Sequence, residues 1–272
     1  MPNALQHIRC FLLDMDGTIY LGNKLLPGAG EFISVLRRLG IEFLFLTNNS
    51  SRDKQAYVEK LAALGIGVRR NQVLTSGEAT AIYLQGIKPG AKVFLLGTPA
   101  LAQEFAAHGF QLVSRADGPD YVVLGFDTTL TYQKLWDACD LIRAGTEYVA
   151  THPDFNCPLE GGKYMPDAGA MIAFIEASTG RRPKVIGKPN REIVEAALTW
   201  TRVGREEIAM VGDRLYTDIA MGKEAGLTSI LVLSGETRQE DLERSQFRPD
   251  YVFASVGQLA EALSREADDR GD

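Results

Sequence analysis

The clusters Asp14-Met15-Asp16-Gly17-Thr18, Thr47-Asn48-Asn49-Ser50, Gly187-Lys188-Pro189-Asn190 and Gly212-Asp213-Arg214 each follow a short apolar run, and Thr217-Asp218 comes soon after the last. Between them they hold carboxylates, hydroxyls, amides and one lysine. In an open parallel sheet, ligands bind beyond the carboxyl ends of the strands, so residues in these positions can share one rim. That set of groups suits a phosphate dianion held beside a divalent cation. An aspartate is ionised at neutral pH without help from a base and can attack phosphorus as a covalent nucleophile. Its drawback is repulsion from the anionic substrate, which a hard cation with oxygen ligands removes.

The residue types divide the task. Asp14 is the candidate nucleophile, and Asp213 is the second carboxylate for a magnesium ion. Lys188 would place positive charge on the phosphoryl oxygens, while Thr47 and exposed backbone N–H groups would donate hydrogen bonds to them. Asp16, two residues from Asp14, could protonate the leaving oxygen and later activate water. Gly17 permits a tight bend that turns both aspartates towards one site. Taken singly, the clusters have plainer explanations: a turn and helix N-cap for Thr47-Asn48-Asn49, a surface turn for Lys188-Pro189-Asn190, and loop solvation and a first-turn helix acid for Asp213 and Asp218. A calcium loop starting at Asp14 is excluded, because its sixth position is Ile19 rather than Gly and its twelfth is Leu25 rather than Glu.

In this order the clusters resemble the motifs of the haloacid dehalogenase superfamily of phosphatases: Asp14-x-Asp16-Gly17-Thr18 the first, Thr47 the second, Lys188 the third, and Gly212-Asp213 with Asp218 the fourth. Leu46-Thr47-Asn48-Asn49, Gly187-Lys188-Pro189 and Val232-Leu233-Ser234-Gly235 look like the subgroup that contains the NagD-type and 4-nitrophenyl phosphatases, and the likeness extends over nearly the whole chain. The resemblance implies magnesium-dependent hydrolysis of small-molecule phosphate monoesters through an aspartyl-phosphate. Sugar phosphates, nucleotides or similar metabolites are the implied substrates, with aryl phosphates accepted in vitro. Asp14 is implied as nucleophile and metal ligand, Asp16 as acid/base with its backbone carbonyl on the metal, and Asp213 as the other protein ligand. Thr47, Asn48 and Lys188 are implied to bind phosphate, and Asp218 to support the metal from behind its ligands.

The same subgroup carries a large inserted α/β cap, so the resemblance implies a core of residues 1–76 and 184–272 and a cap of residues 77–183, with homodimerisation through the cap as a further expectation. Cap closure would exclude water and supply specificity contacts. Thr151, His152, Asp154 and Asn156 are the candidate contacts, together with the run Asp167-Ala168-Gly169-Ala170; His152 is not required as a base. A phosphomutase or phosphotransferase on the same core is the nearer alternative. A non-catalytic phosphate-binding or phospho-receiver module is the other, although the acidic pair of a receiver is adjacent in sequence and its domain is about half this length or less.

Positioning the four clusters requires a sheet. Apolar runs rich in β-branched residues at 8–13, 42–46, 73–74, 92–96, 121–124, 147–150, 184–186, 208–211, 229–233 and 251–253 read as strands. They alternate with helical patterns, among them 31–39, 52–64, 132–143, 192–200 and 218–225. The fold class is therefore α/β, a doubly wound Rossmann-like parallel-sheet core with an inserted α/β cap. Residues 151–166, with three prolines and two glycines, read as a long irregular loop. A length of 272 residues allows two domains, and a net charge of -6 argues against a nucleic-acid partner. Three widely spaced cysteines form neither a disulfide framework nor a zinc site. Without a leader pattern or a long apolar run, the expectation is a soluble, cytoplasmic protein with no membrane role.

Overall fold

Strands form where the apolar runs stand. In the computed structural model, which describes residues 5–268, six strands make one sheet. Its order is Tyr251–Phe253, Thr228–Val232, Ile208–Gly212, Cys10–Leu13, Glu42–Thr47 and Val73–Thr75. Cys10–Leu13 is buried along its whole length and pairs in parallel on both sides, with Leu13 opposite Val211 and Phe45. A strand covered by helices on both faces has no solvent side, which is why its sequence is continuously apolar rather than alternating. The register has a direct consequence. Asp14 and Asp213 leave adjacent parallel strands at the same end, and Asp14 N donates to Val211 O at 2.9 Å.

The helices Ala29–Arg38 and Val256–Asp268 pack against each other and bury an apolar stripe. Phe11 from the central strand meets Phe32 from the first of these helices edge to face, with ring centroids 5.8 Å apart and planes at 83°. Both rings are fully enclosed in a core that also contains Leu13, Phe45, Val211 and Leu259.

A second sheet has five strands in the order Lys184–Val185, Glu147–Ala150, Tyr121–Leu124, Lys92–Leu96 and Gln111–Leu112, all parallel. Helices Ser76–Ile87, Pro99–Ala107, Tyr132–Arg143 and Ala168–Thr179 belong to the same unit, and each starts at a Thr or Asp whose side chain accepts a backbone N–H. Its core gathers Leu96, Val122, Leu124, Ile142 and Ile175.

The chain groups into two compact units, residues 1–46, 57–74 and 197–272 in one, and 47–56 with 75–196 in the other. The second unit therefore holds all of 77–183 and also takes in flanking segments. Lys184–Val185 joins it by pairing with Glu147–Ala150, and residues 47–51 join it by side-chain hydrogen bonds described below.

Two expectations change. The irregular loop at 151–166 contains an antiparallel hairpin, Asn156–Leu159 with Lys163–Pro166. A lone two-stranded ladder buries little, so it needs no alternating apolar pattern, and Pro158 and Pro166 hide it further because proline lacks an N–H for the ladder. The helix at 218–225 is shorter: Leu215–Ile219 forms a π turn, and the α-helix spans Ala220–Ala225. Asp218 thus lies inside a π turn, a feature frequent at functional sites. Among the described residues no helix is long and apolar enough to cross a membrane.

Phe11→Ala removes a fully buried ring from both the strand and its helix contact. It should lower unfolding free energy by about 3–5 kcal/mol, read as a lower urea midpoint with an unchanged m-value.

Candidate active site

The acidic centre lies in the first unit. One carboxylate oxygen from each of Asp14, Asp213 and Asp218 falls within 4.8 Å of the others. Asp14 follows the central strand, and its Oδ2 accepts from Thr18 Oγ1 at 3.3 Å. The chain then turns sharply: Gly17 has φ +89, and a Cβ there would sit 2.5 Å from Asp213 Oδ2. Only glycine suits both the left-handed backbone and that approach. Asp218 reaches back from the π turn, where its Oδ2 accepts Arg214 N at 3.1 Å.

A loop after strand Thr228–Val232 completes the surroundings. Ser234 Oγ donates to Gly17 O at 2.8 Å, Glu236 N donates to Asp213 Oδ2 at 2.6 Å, and Thr237 N donates to Asp213 O at 3.2 Å. Asp213 Oδ1 is buried with no hydrogen-bond partner among the described residues. Sequence reasoning did not assign this loop a role, although Ser234-Gly235 follows an apolar run as the other clusters do.

Burial raises the Asp213 carboxyl well above the usual carboxylate range, and the charges of Asp14 and Asp218 push it the same way; the Glu236 N–H and the Arg214 cation only partly oppose them. Burial also raises Asp16, against the charge of Lys60, and Asp14 adds to the rise. Tyr20 and Arg214 favour the ionised Asp16. A buried acceptor without a donor, beside two more carboxylates, is unfavourable as it stands. A hard divalent cation would relieve it, because such ions take carboxylate oxygens as ligands. The donor set therefore fits a divalent metal.

The remaining candidates lie in the second unit. Thr47 ends its strand buried, with Oγ1 accepting Asn49 N at 3.1 Å. Asn48 and Lys188 are buried and bonded to each other: Lys188 N donates to Asn48 Oδ1 at 2.8 Å, and Asn48 Nδ2 donates to Lys188 O at 3.1 Å. Asn48 Nδ2 also lies 3.3 Å from both carboxylate oxygens of half-buried Asp154.

Thr151 and His152 have no exposed surface in this fold. Thr151 Oγ1 bonds Ser50 Oγ at 2.9 Å and His152 Nδ1 at 2.8 Å, while His152 Nε2 meets Asp167 Oδ1 at 2.8 Å. Burial drives the imidazole pKa down, but the hydrogen bond and charge of Asp167, with Asp154 behind it, outweigh burial and leave it raised. These residues knit the segments around 50, 151 and 167 together. Asn156, by contrast, is exposed at the start of the hairpin. Ser76 and the His152 partnership of Asp167 carried no sequence signal, and Ser50 stood out only as the end of the Thr47-Asn48-Asn49-Ser50 cluster, because hydroxyls and acids acquire such partners only through long-range contact.

A family described as haloacid dehalogenase-like hydrolase matches residues 11–111, and one described as HAD-hydrolase-like matches 185–259. An acid sugar phosphatase of Staphylococcus saprophyticus is 36% identical over 262 residues, spanning 96% of this chain and 100% of the relative. The crystal structure of a 4-nitrophenylphosphatase from Thermotoga maritima superposes with a TM-score of 0.91 at 51% identity, covering 95% of this chain and 98% of that one. A glycerol phosphate phosphatase of Mycobacterium tuberculosis, in complex with calcium, gives a TM-score of 0.88 at 36% identity and covers 94% and 75%.

A carboxyl that titrates above its unfolded value binds its proton more tightly in the native state. Its stabilising contribution is full below the unfolded pKa of about 3.9 and is lost as pH rises through the folded value. In EDTA, Asp213→Asn should therefore gain stability over wild type as pH rises from about 4 towards 8. A saturating divalent cation should reverse the order, because it binds native wild type. Urea midpoints across pH test this, and a pH-independent difference would contradict the buried repulsion.

Proposed function

Because this chain belongs to the haloacid dehalogenase-like hydrolases, in the branch of the NagD-like and 4-nitrophenyl phosphatases, and is a phosphatase acting on phosphate esters, we propose that it hydrolyses small-molecule phosphate monoesters through an aspartyl-phosphate on Asp14 with magnesium as its metal. The observation that most supports this reading is the convergence of carboxylate oxygens from Asp14, Asp213 and Asp218, together with the buried Oδ1 of Asp213 that has no hydrogen-bond partner among the described residues. Asp14, the backbone carbonyl of Asp16 and Asp213 would hold the ion, with Asp218 steadying the cluster through its bond from Arg214 N. When bound, magnesium supplies positive charge that offsets repulsion between the nucleophile and the phosphoryl oxygens.

Asp14 attacks phosphorus in line as the ester bond breaks. Asp16, whose raised pKa suits a proton carrier, protonates the departing oxygen. It then takes a proton from the water that attacks the aspartyl-phosphate, releasing inorganic phosphate and restoring Asp14. Lys188 and Thr47 bind phosphoryl oxygens and position the group.

Residues 77–183 are proposed as the cap domain, with exposed Asn156 meeting the substrate while enclosed Thr151 and His152 hold their loop. A sugar phosphate or glycerol phosphate is the favoured substrate class, by analogy with the relatives of those names, and an aryl phosphate serves as a reporter. A cytoplasmic location and pairing through the cap complete the proposal.

Hydrolysis of p-nitrophenyl phosphate tests it. Turnover should require magnesium and stop in EDTA, and Asp14→Asn should lower kcat by roughly 10⁴-fold or more. Asp16→Asn should release at most about one p-nitrophenolate per chain before stalling. Retained turnover in Asp14→Asn would sink the nucleophile assignment.

A further inference from the structure

Asn48 is among the residues that the family resemblance assigns to phosphate, but its side chain is fully engaged elsewhere. A primary amide offers two N–H donors and one carbonyl oxygen. Here the oxygen accepts Lys188 N at 2.8 Å, and the nitrogen donates to Lys188 O at 3.1 Å while facing both Asp154 oxygens at 3.3 Å. One side chain thus clamps both main-chain groups of a single residue, as a hydrogen-bonded pair does in an antiparallel ladder. Asn48 is itself held from behind, since Ser76 Oγ donates to its main-chain oxygen. The clamp also explains Gly187, where a Cβ would lie 2.7 Å from Asn48 Oδ1 and 2.6 Å from Thr151 O.

We propose that Asn48 is a positioning residue for Lys188 rather than a phosphate ligand through its side chain, and that Asp154 orients the amide. Lysine carries its charge on a flexible four-carbon stem, so the placement of its ammonium depends on how firmly its main chain is held. Asn48 fixes the N–H and C=O on either side of the Lys188 Cα. A carboxylate can only accept, so Asp154 faces the amide nitrogen and favours the same amide orientation that the Lys188 N–H and C=O select. This rests on the phosphate-binding role of Lys188 proposed above.

A double-mutant cycle on the magnesium-loaded protein separates positioning from direct contact. The readouts are binding of inorganic phosphate by calorimetry, and KM and kcat for p-nitrophenyl phosphate. Asn48→Asp keeps the shape and an oxygen for Lys188 N but removes both N–H donors. It should weaken phosphate about tenfold in the wild-type background, and less than about twofold in the Lys188→Met background. Asp154→Ala, which spares both clamp bonds and serves if Asn48→Asp fails to fold, should weaken phosphate about threefold and again only where Lys188 is present. Equal losses in the two backgrounds would overturn the proposal, as would an unchanged affinity for Asn48→Asp with Lys188 intact. Should Lys188→Met alone leave affinity unchanged, the phosphate role of Lys188 fails, and the proposal with it.

Discussion

Carboxylates brought together away from water resist ionising together, and the first unit of this protein is built around that conflict. Asp213 carries it most plainly: burial, Asp14 and Asp218 all act against its charged form, and one of its oxygens has no donor among the described residues. The surrounding structure enforces the conflict. The parallel register sets Asp14 beside the strand that ends before Asp213, and Glu236 N and Arg214 N fix one oxygen of Asp213 and one of Asp218. Main-chain donors orient these groups without supplying a full neutralising charge. The remaining deficit is what a divalent cation would fill, and it makes the site costly to fold without one.

The second unit treats its buried polar groups in the opposite way. Ser50, Thr151, His152 and Asp167 form an unbroken chain of short hydrogen bonds, and Asn48 spends its amide on Lys188 and Asp154. A satisfied network of this kind is rigid, because breaking one member strands its neighbours in a medium that cannot replace the bond. The acidic centre of the first unit leaves a buried oxygen without a donor among the described residues, whereas the main chain of Lys188 in the second unit has its partners in place. Charge must be supplied when the reaction runs, but the geometry has to be in place beforehand.

Much of the fold was legible because its signals are local. The runs ending at Leu13, Leu46 and Val211 are continuously apolar, and buried parallel strands must be so. The first and fourth motifs were legible for a related reason: Asp14, Asp16, Asp213 and Asp218 are short acids where a parallel sheet exposes its strand ends, and each lies within a few residues of a strand. The hairpin after Asn156 was not legible, since its two strands bury little and contain Pro158 and Pro166. The π turn holding Asp218 was equally hidden, because a π turn and the first turn of an α-helix draw on the same residues.

By itself the sequence determined the class of fold, the acids available for chemistry and their places at strand ends, all of which follow from the period and composition of short segments. Only the tertiary structure decided which partners those residues meet. Asn48 and Lys188 are 140 positions apart and Asp213 and Glu236 are 23 apart, and no local pattern encodes a hydrogen bond across such distances. Thr151 and His152 likewise sit in a stretch that reads as an open loop, yet partners from elsewhere in the chain enclose them. Burial and partner choice are properties of the assembled chain, and they leave Asp213 Oδ1 without a donor among the described residues while they enclose Thr151 and His152 in hydrogen bonds.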